Sequence, residues 1–106
     1  MNEPAQLALD DLATGLAEEL GDVRTSLEGE MTGYSRGDAT FARASSNALE
    51  VRLPQDIAEA ALRTTDSSVV PGEPGWVRFA PSASDPHAVD RSQAWFRTAW
   101  RHAAGD

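Results

Sequence analysis

Leucines recur at positions 9, 12, 16 and 20, with Ala13 and Ala17 beside them, one apolar stripe at the spacing of helical turns. The stripe predicts a helix over residues 3–20, with Asn2 as N-cap, Pro4 in the first turn and Gly21 as the stop. Asp10, Asp11, Glu18 and Glu19 take its outer faces; the last pair sits poorly against the helix dipole. From Asp22 the period changes to two. Val23, Thr25, Leu27 and Met31 alternate with Arg24, Ser26, Glu28 and Glu30, which predicts a strand with one inward and one wet face. Residues 33–35 add a short strand, Arg36-Gly37-Asp38 a turn, and 39–44 a further strand. After a second turn at 45–47, residues 48–53 form the clearest strand, with Leu49, Val51 and Leu53 inward and Glu50 and Arg52 outward.

Pro54 opens a short helix to about Arg63, with Ile57, Ala61 and Leu62 towards the core. Pro71, Gly72, Pro74 and Gly75 make residues 64–75 a long loop, followed by a strand over 75–80. Asp85-Pro86 is a helix start, and the helix over 87–103 gathers Ala88, Val89, Trp95, Phe96, Ala99, Trp100 and Ala103 on one side. The expected fold is a single α+β domain over residues 1–106, of order α-β-β-β-α-β-α. Its antiparallel sheet has about four to five strands and carries the helices on one face.

Composition narrows the setting. The 106 residues are 41% hydrophobic and 25% charged, ordinary for a folded domain. No apolar run approaches the ~18 residues that span a bilayer, so no membrane association is expected. The start of the chain lacks a basic segment, which argues against a secretory signal. With no cysteine there are no disulfides, thiolate nucleophiles or cysteine metal sites, and a cytoplasmic address is expected. The net charge of −8 is concentrated before Thr32, where Arg24 stands alone against Glu3, Asp10, Asp11, Glu18, Glu19, Asp22, Glu28 and Glu30. Such a chain repels phosphate backbones, so nucleic acid is an unlikely partner. All nine basic residues are arginine, a bias that fits a high-GC coding sequence.

Candidate chemistry is sparse. Arg36-Gly37-Asp38 spells an adhesion tripeptide but suits a hairpin turn better. Asp85, His87 and Asp90 offer oxygen and nitrogen donors without the three or four converging ligands that a zinc site needs, so no metal is expected. Ser45, Ser46, Ser67 and Ser68 fall in turns or loops with no nucleophile-elbow pattern, no glycines form a phosphate loop, and no cofactor is expected. The outward strand positions carry more information. Arg43, Arg52 and Arg78 are placed to align across neighbouring strands with Glu28 or Glu50 between them. Cross-strand ion pairs account for such an array; the alternative is a face that receives an anionic partner or ligand. Trp76, Trp95 and Trp100 are expected in the core between sheet and last helix, with Trp76 also a candidate for a pocket rim or dimer interface.

Three stretches carry a family resemblance. They are Gly37-Asp38-Ala39-Thr40-Phe41-Ala42-Arg43 feeding Leu49–Leu53, then Pro74-Gly75-Trp76-Val77-Arg78-Phe79, then a closing helix with Asp90, Ala94-Trp95-Phe96 and Ala99-Trp100. Over Arg36–Ala103 the chain resembles the small bacterial domains called the luciferase domain family. That family often has histidines after the first of these strands; here Arg43 and Ser45 stand there, so no site of theirs is implied. The order of elements is also similar to YjbR and TfoX N-terminal-like domains, described as DNA-binding, a function that the acidic balance opposes. Neither resemblance implies light-emitting chemistry on these residues. The expected function is a non-catalytic binding or protein-interaction module, possible homodimer included. Its working surface is Arg43, Arg52, Arg78 and Trp76, and the alternative is an enzyme or enzyme partner with a small-molecule pocket under the 64–75 loop.

Overall fold

The computed structural model describes residues 8–82 and 85–104. The expected Asn2 cap and Pro4 first turn lie outside them. Leu9–Leu20 is α1, ended as expected by Gly21, whose N–H bonds the Ala17 carbonyl at 3.0 Å. With no side-chain cap at Ala8, the first helical amides find backbone instead: Leu9 N bonds Ser46 O and Asp10 N bonds Ser45 O, both at 3.0 Å. The loop at 45–48 thus satisfies donors that a helix start would otherwise leave bare.

Among the described residues six strands follow the expected plan, with one boundary moved and one strand added to the four to five expected. They are β1 (Arg24–Glu28), β2 (Met31–Arg36), β3 (Ala39–Ala44), β4 (Leu49–Arg52), β5 (Ser67–Val69) and β6 (Trp76–Phe79). The short helix α2 (Gln55–Ala61) separates β4 from β5, and α3 (Ala88–Ala103) closes the chain. All neighbours are antiparallel in the order β1-β2-β3-β4-β6-β5. Met31 belongs to β2, because Gly29 at φ 68° turns the chain after Glu28. Gly37, at φ 61°, makes the Arg36–Asp38 segment the hairpin turn that its composition predicts. β5 is the addition. It lies inside the expected loop and has too few residues for alternation to register.

Row by row, residues sharing a face follow from the register. Tyr34, Ala42, Val51 and Val77 line one row of the helix-covered face; Ala44, Leu49 and Phe79 line the next. A bulge sets the count on β3: Tyr34 opposes Ala42 and Ser35 opposes Thr40, which leaves Phe41 as the extra residue. Phe41 and Ala42 are therefore both buried, and Arg43 is turned to the open face.

Leu9, Ala13, Leu16 and Ala17 of α1 meet Phe96 and Ala99 of α3 over this core, as the stripes predict. Two expectations are corrected. Val89 is 41% exposed, because Ala88 and Ser92 take the inward positions of that turn. All five β1 residues are exposed, including Leu27 at 86%, because β1 is an edge strand beyond the reach of the helices. Asp85 does act before α3, accepting from His87 N at 2.8 Å, but the helix itself starts at Ala88. Among the described residues, no helix is long and apolar enough to cross a membrane.

Tyr34, fully buried, donates to the Asp10 carbonyl at 3.0 Å and shares a hydrogen bond with Thr14 Oγ1 at 3.0 Å. Burial pushes its hydroxyl above the ordinary value of 10.0; the Thr14 bond opposes this, and the Asp10 and Asp11 carboxylates add to it. As pH rises the unfolded tyrosine ionises first, so this stability is intact below pH about 10 and is lost through the raised folded value. Tyr34→Phe is expected to cost about 1 kcal/mol at pH 7 and to flatten the decline above pH about 10. Urea unfolding of both proteins across that range checks it; parallel declines contradict the assignment.

Candidate functional site

The face turned away from α1 and α3 carries one continuous polar row: Ser26, Gly33, Arg43, Glu50, Arg78 and Ser68, each opposite the next on six strands. One row along, Arg52 stands opposite Trp76. The register therefore brings all four expected residues, Arg43, Arg52, Arg78 and Trp76, to neighbouring positions on one face.

At its centre is Glu50. Only 7% of the residue is exposed, and its two oxygens are divided between two arginines: Oε1 to Arg43 Nη2 and Oε2 to Arg78 Nη1, both at 2.9 Å. Arg43 Nη2 also meets Glu73 Oε2 at 2.8 Å. The Arg43 guanidinium lies over the Trp76 ring, 4.3 Å from its centroid, a cation–π contact strengthened by partial removal from water. Its Nε is buried and has no hydrogen-bond partner. Desolvation works against the charged form of Arg43, but the Glu73 hydrogen bond and the carboxylates of Glu50, Glu73 and Glu28 outweigh it and hold the guanidinium above its ordinary value. Of the two expected acidic members, Glu50 is the bridge. Glu28 lies further out, leaning over Gly33, where any Cβ would collide with its carboxylate.

Glu73 was not among the expected residues. It is the pivot of two successive turns. Trp76 N bonds Glu73 O at 3.2 Å and Glu73 N bonds Val70 O at 3.1 Å. Each turn has proline second and glycine third, at φ 77° for Gly72 and 85° for Gly75, the pattern of type II. Two turns that meet at one residue fix where its side chain goes. The repeated Pro-Gly spacing in Val70-Pro71-Gly72-Glu73-Pro74-Gly75 was the available signal.

The tryptophans divide between the faces, which corrects the expectation that all three build the core. Trp95 packs edge-on against Phe79, at 5.0 Å between centroids, and belongs to the helix side. Trp100 lies under Arg36, 3.7 Å from guanidinium carbon to ring centroid, and donates to Gly21 O at 3.3 Å. Arg36 Nη1 in turn donates to Trp100 O at 3.1 Å, supplying positive charge to the carbonyl end of α3. Trp76 alone sits with the arginines of the open face. Strand pairing alternates faces with residue number, and β6 has Trp76 and Arg78 on one side, Val77 and Phe79 on the other.

Arg52 is exposed and has no ionic partner among the described residues; the outer face of Arg78 is likewise open, its side chain 43% exposed. The 64–75 segment joins the sheet as its edge strand β5 and reaches Arg43 through Glu73. An open cleft of about 480 Å³ lies at the other end of the sheet, lined by Asp22, Val23, Arg24, Arg36 and Gly37. Among the described residues no three histidine or carboxylate side chains converge on a metal position. Compared with known proteins, the chain matches no family model, no curated protein and no solved structure.

Proposed function

We propose that the protein is a non-catalytic binding module whose open sheet face receives a carboxylate-bearing partner. The observation that carries this is Arg43, stacked on Trp76 and already holding the carboxylate of a turn residue, Glu73, that is itself partly exposed. An incoming carboxylate has Arg52, which lacks an ionic partner among the described residues, and the exposed side of Arg78, with Trp76 holding Arg43 in place beside them. Glu50 and Glu73 offset two of the three arginines that meet here, so the positive charge left over centres on Arg52, and negative charge is drawn to that corner of the face.

The enzyme alternative, a pocket under the 64–75 segment, has less behind it, since part of that segment is the sheet's own edge strand and Glu73 is tied down on Arg43. Nucleic-acid binding stays disfavoured at a net charge of −8. The resemblance to the luciferase domain family belongs to the same proposal: its three stretches form β3 and β4, β6, and α3, the strands of the arginine face and the helix behind them. With no cysteine to oxidise, the module is assigned to the cytoplasm.

The test is titration with a glutamate-rich peptide and its glutamine-rich counterpart at low salt. The glutamate peptide is expected to bind and the glutamine peptide not. Arg52→Glu and Trp76→Ala, each shown to be folded by circular dichroism, are expected to weaken binding about tenfold or more, the loss of ~1.4 kcal/mol. No binding by the wild type, or binding by both variants as tight as that of the wild type, sinks the proposal.

A further inference from the structure

Among the described residues the edge strand β1 is unpartnered on its outer side, and its sequence is complementary to itself. We propose that it pairs antiparallel with β1 of a second copy, centred on Ser26, to join two sheets into one. The reasoning starts with the backbone. Glu28 and Met31 close the two-residue turn at Gly29-Glu30, so they form a hydrogen-bonded pair, and the bonding alternates from there. Arg24, Ser26 and Glu28 spend their amides on β2; Thr25 and Leu27 direct theirs outward. An antiparallel copy centred on Ser26 sets Thr25 opposite Leu27 twice, and four outward hydrogen bonds form together.

Side chains select the same register. Arg24 and Glu28 lie on one face of β1, two residues either side of Ser26. Centring there brings each Arg24 opposite a Glu28 of the other copy, two ion pairs related by the two-fold axis. Shifting the centre to Thr25 sets Glu28 opposite Asp22 instead and repels. On the other face, Leu27 is 86% exposed, and its counterpart in the second copy comes within diagonal reach. Two features that commonly protect an edge are missing from β1: it holds no proline, and its register with β2 is unbroken. The opposite edge, β5, has three residues and Pro71 close behind. This pairing stands independently of the arginine face.

Sedimentation velocity over a concentration series tests it, at about 0.15 M salt, where screening within ~8 Å limits repulsion between two acidic chains. The wild type is expected to reach a dimer that does not grow further. Arg24→Glu and Glu28→Arg each turn both ion pairs repulsive and are expected to weaken the dimer about tenfold or more. Mixed together, the two variants present opposite charges at both pairs and are expected to recover the dimer, as is the double variant carrying both changes. All these positions are exposed, and circular dichroism confirms the fold of each protein. A monomer throughout the series, open-ended polymers, or a dimer indifferent to both reversals overturns the proposal.

Discussion

Phe96→Ala is expected to lower the unfolding free energy by about 4 kcal/mol, the largest loss of any single truncation considered for this chain. Phe96 is wholly buried and meets two aromatic rings edge-on: Tyr34 at 5.4 Å and Phe41 at 5.2 Å between centroids. It is the point at which α3 is keyed to β2 and β3, so the cavity left by alanine has rigid walls on the sheet side and collapses poorly. Domains of this size have about 5–15 kcal/mol in total, and the variant retains a fold but little margin. Val89→Ala, on the same predicted stripe but 41% exposed, should change stability by no more than about 0.5 kcal/mol. Urea unfolding measures both. A loss at Phe96 under about 1 kcal/mol would show that α3 does not seat there.

Glu50→Ala comes next, at about 3 kcal/mol. Glu50 neutralises two arginines at once, and its side chain is 10% exposed beside an Arg43 side chain at 19%. Removing it leaves Arg43 partly desolvated with Glu73 as its remaining bonded carboxylate, and uncompensated buried charge is costly. The sharper expectation is comparative. Replacing the pair together, as Arg43→Met with Glu50→Leu, should cost less than Glu50→Ala alone, because the charges then left without their partners, Arg78 and Glu73, are 43% and 39% exposed and stay in water. If the double variant is the less stable of the two, the pair contributes net attraction and the desolvation argument is wrong here.

Most of the fold was legible because period and punctuation agree. The leucine stripe of α1, the alternation of Leu49, Val51 and Leu53, and the glycines at 21 and 37 each act locally, and local signals survive in a sequence. What failed depended on neighbours. Thr25 and Leu27 alternate like a half-buried strand, yet β1 is at the edge, and alternation says which residues share a face without saying whether anything covers it. Of the two places expected for Trp76, core and open face, the structure has the second, for a related reason. A tryptophan suggests core, but its parity on β6 puts it beside Arg78, and here an arginine supplies the cover that a core would have given.

The site was legible as a set of residues but not as a network. Arg43, Arg52, Arg78 and Trp76 share a face through parity and register, which the outward positions of the strands announce. Which acid sits between them depends on distances across strands: Glu50 lies within one strand of both Arg43 and Arg78, while Glu28 is two strands from Arg43. The bulge is what buries Phe41 beside Ala42, and no residue type marks it in advance. Glu73 arrives from a segment whose prolines and glycines suggested irregularity; the same residues hold it in place through consecutive type II turns.

The central claim is that the arginine face, not the helix face, is the working surface. Amide and indole NMR of the full chain, titrated with the glutamate-rich peptide, tests it directly. Shifts confined to β3, β4, β6 and the 70–76 turns, with the Trp76 indole among the largest, are the predicted result. Shifts centred on α1 and α3, or none at saturating peptide, contradict it.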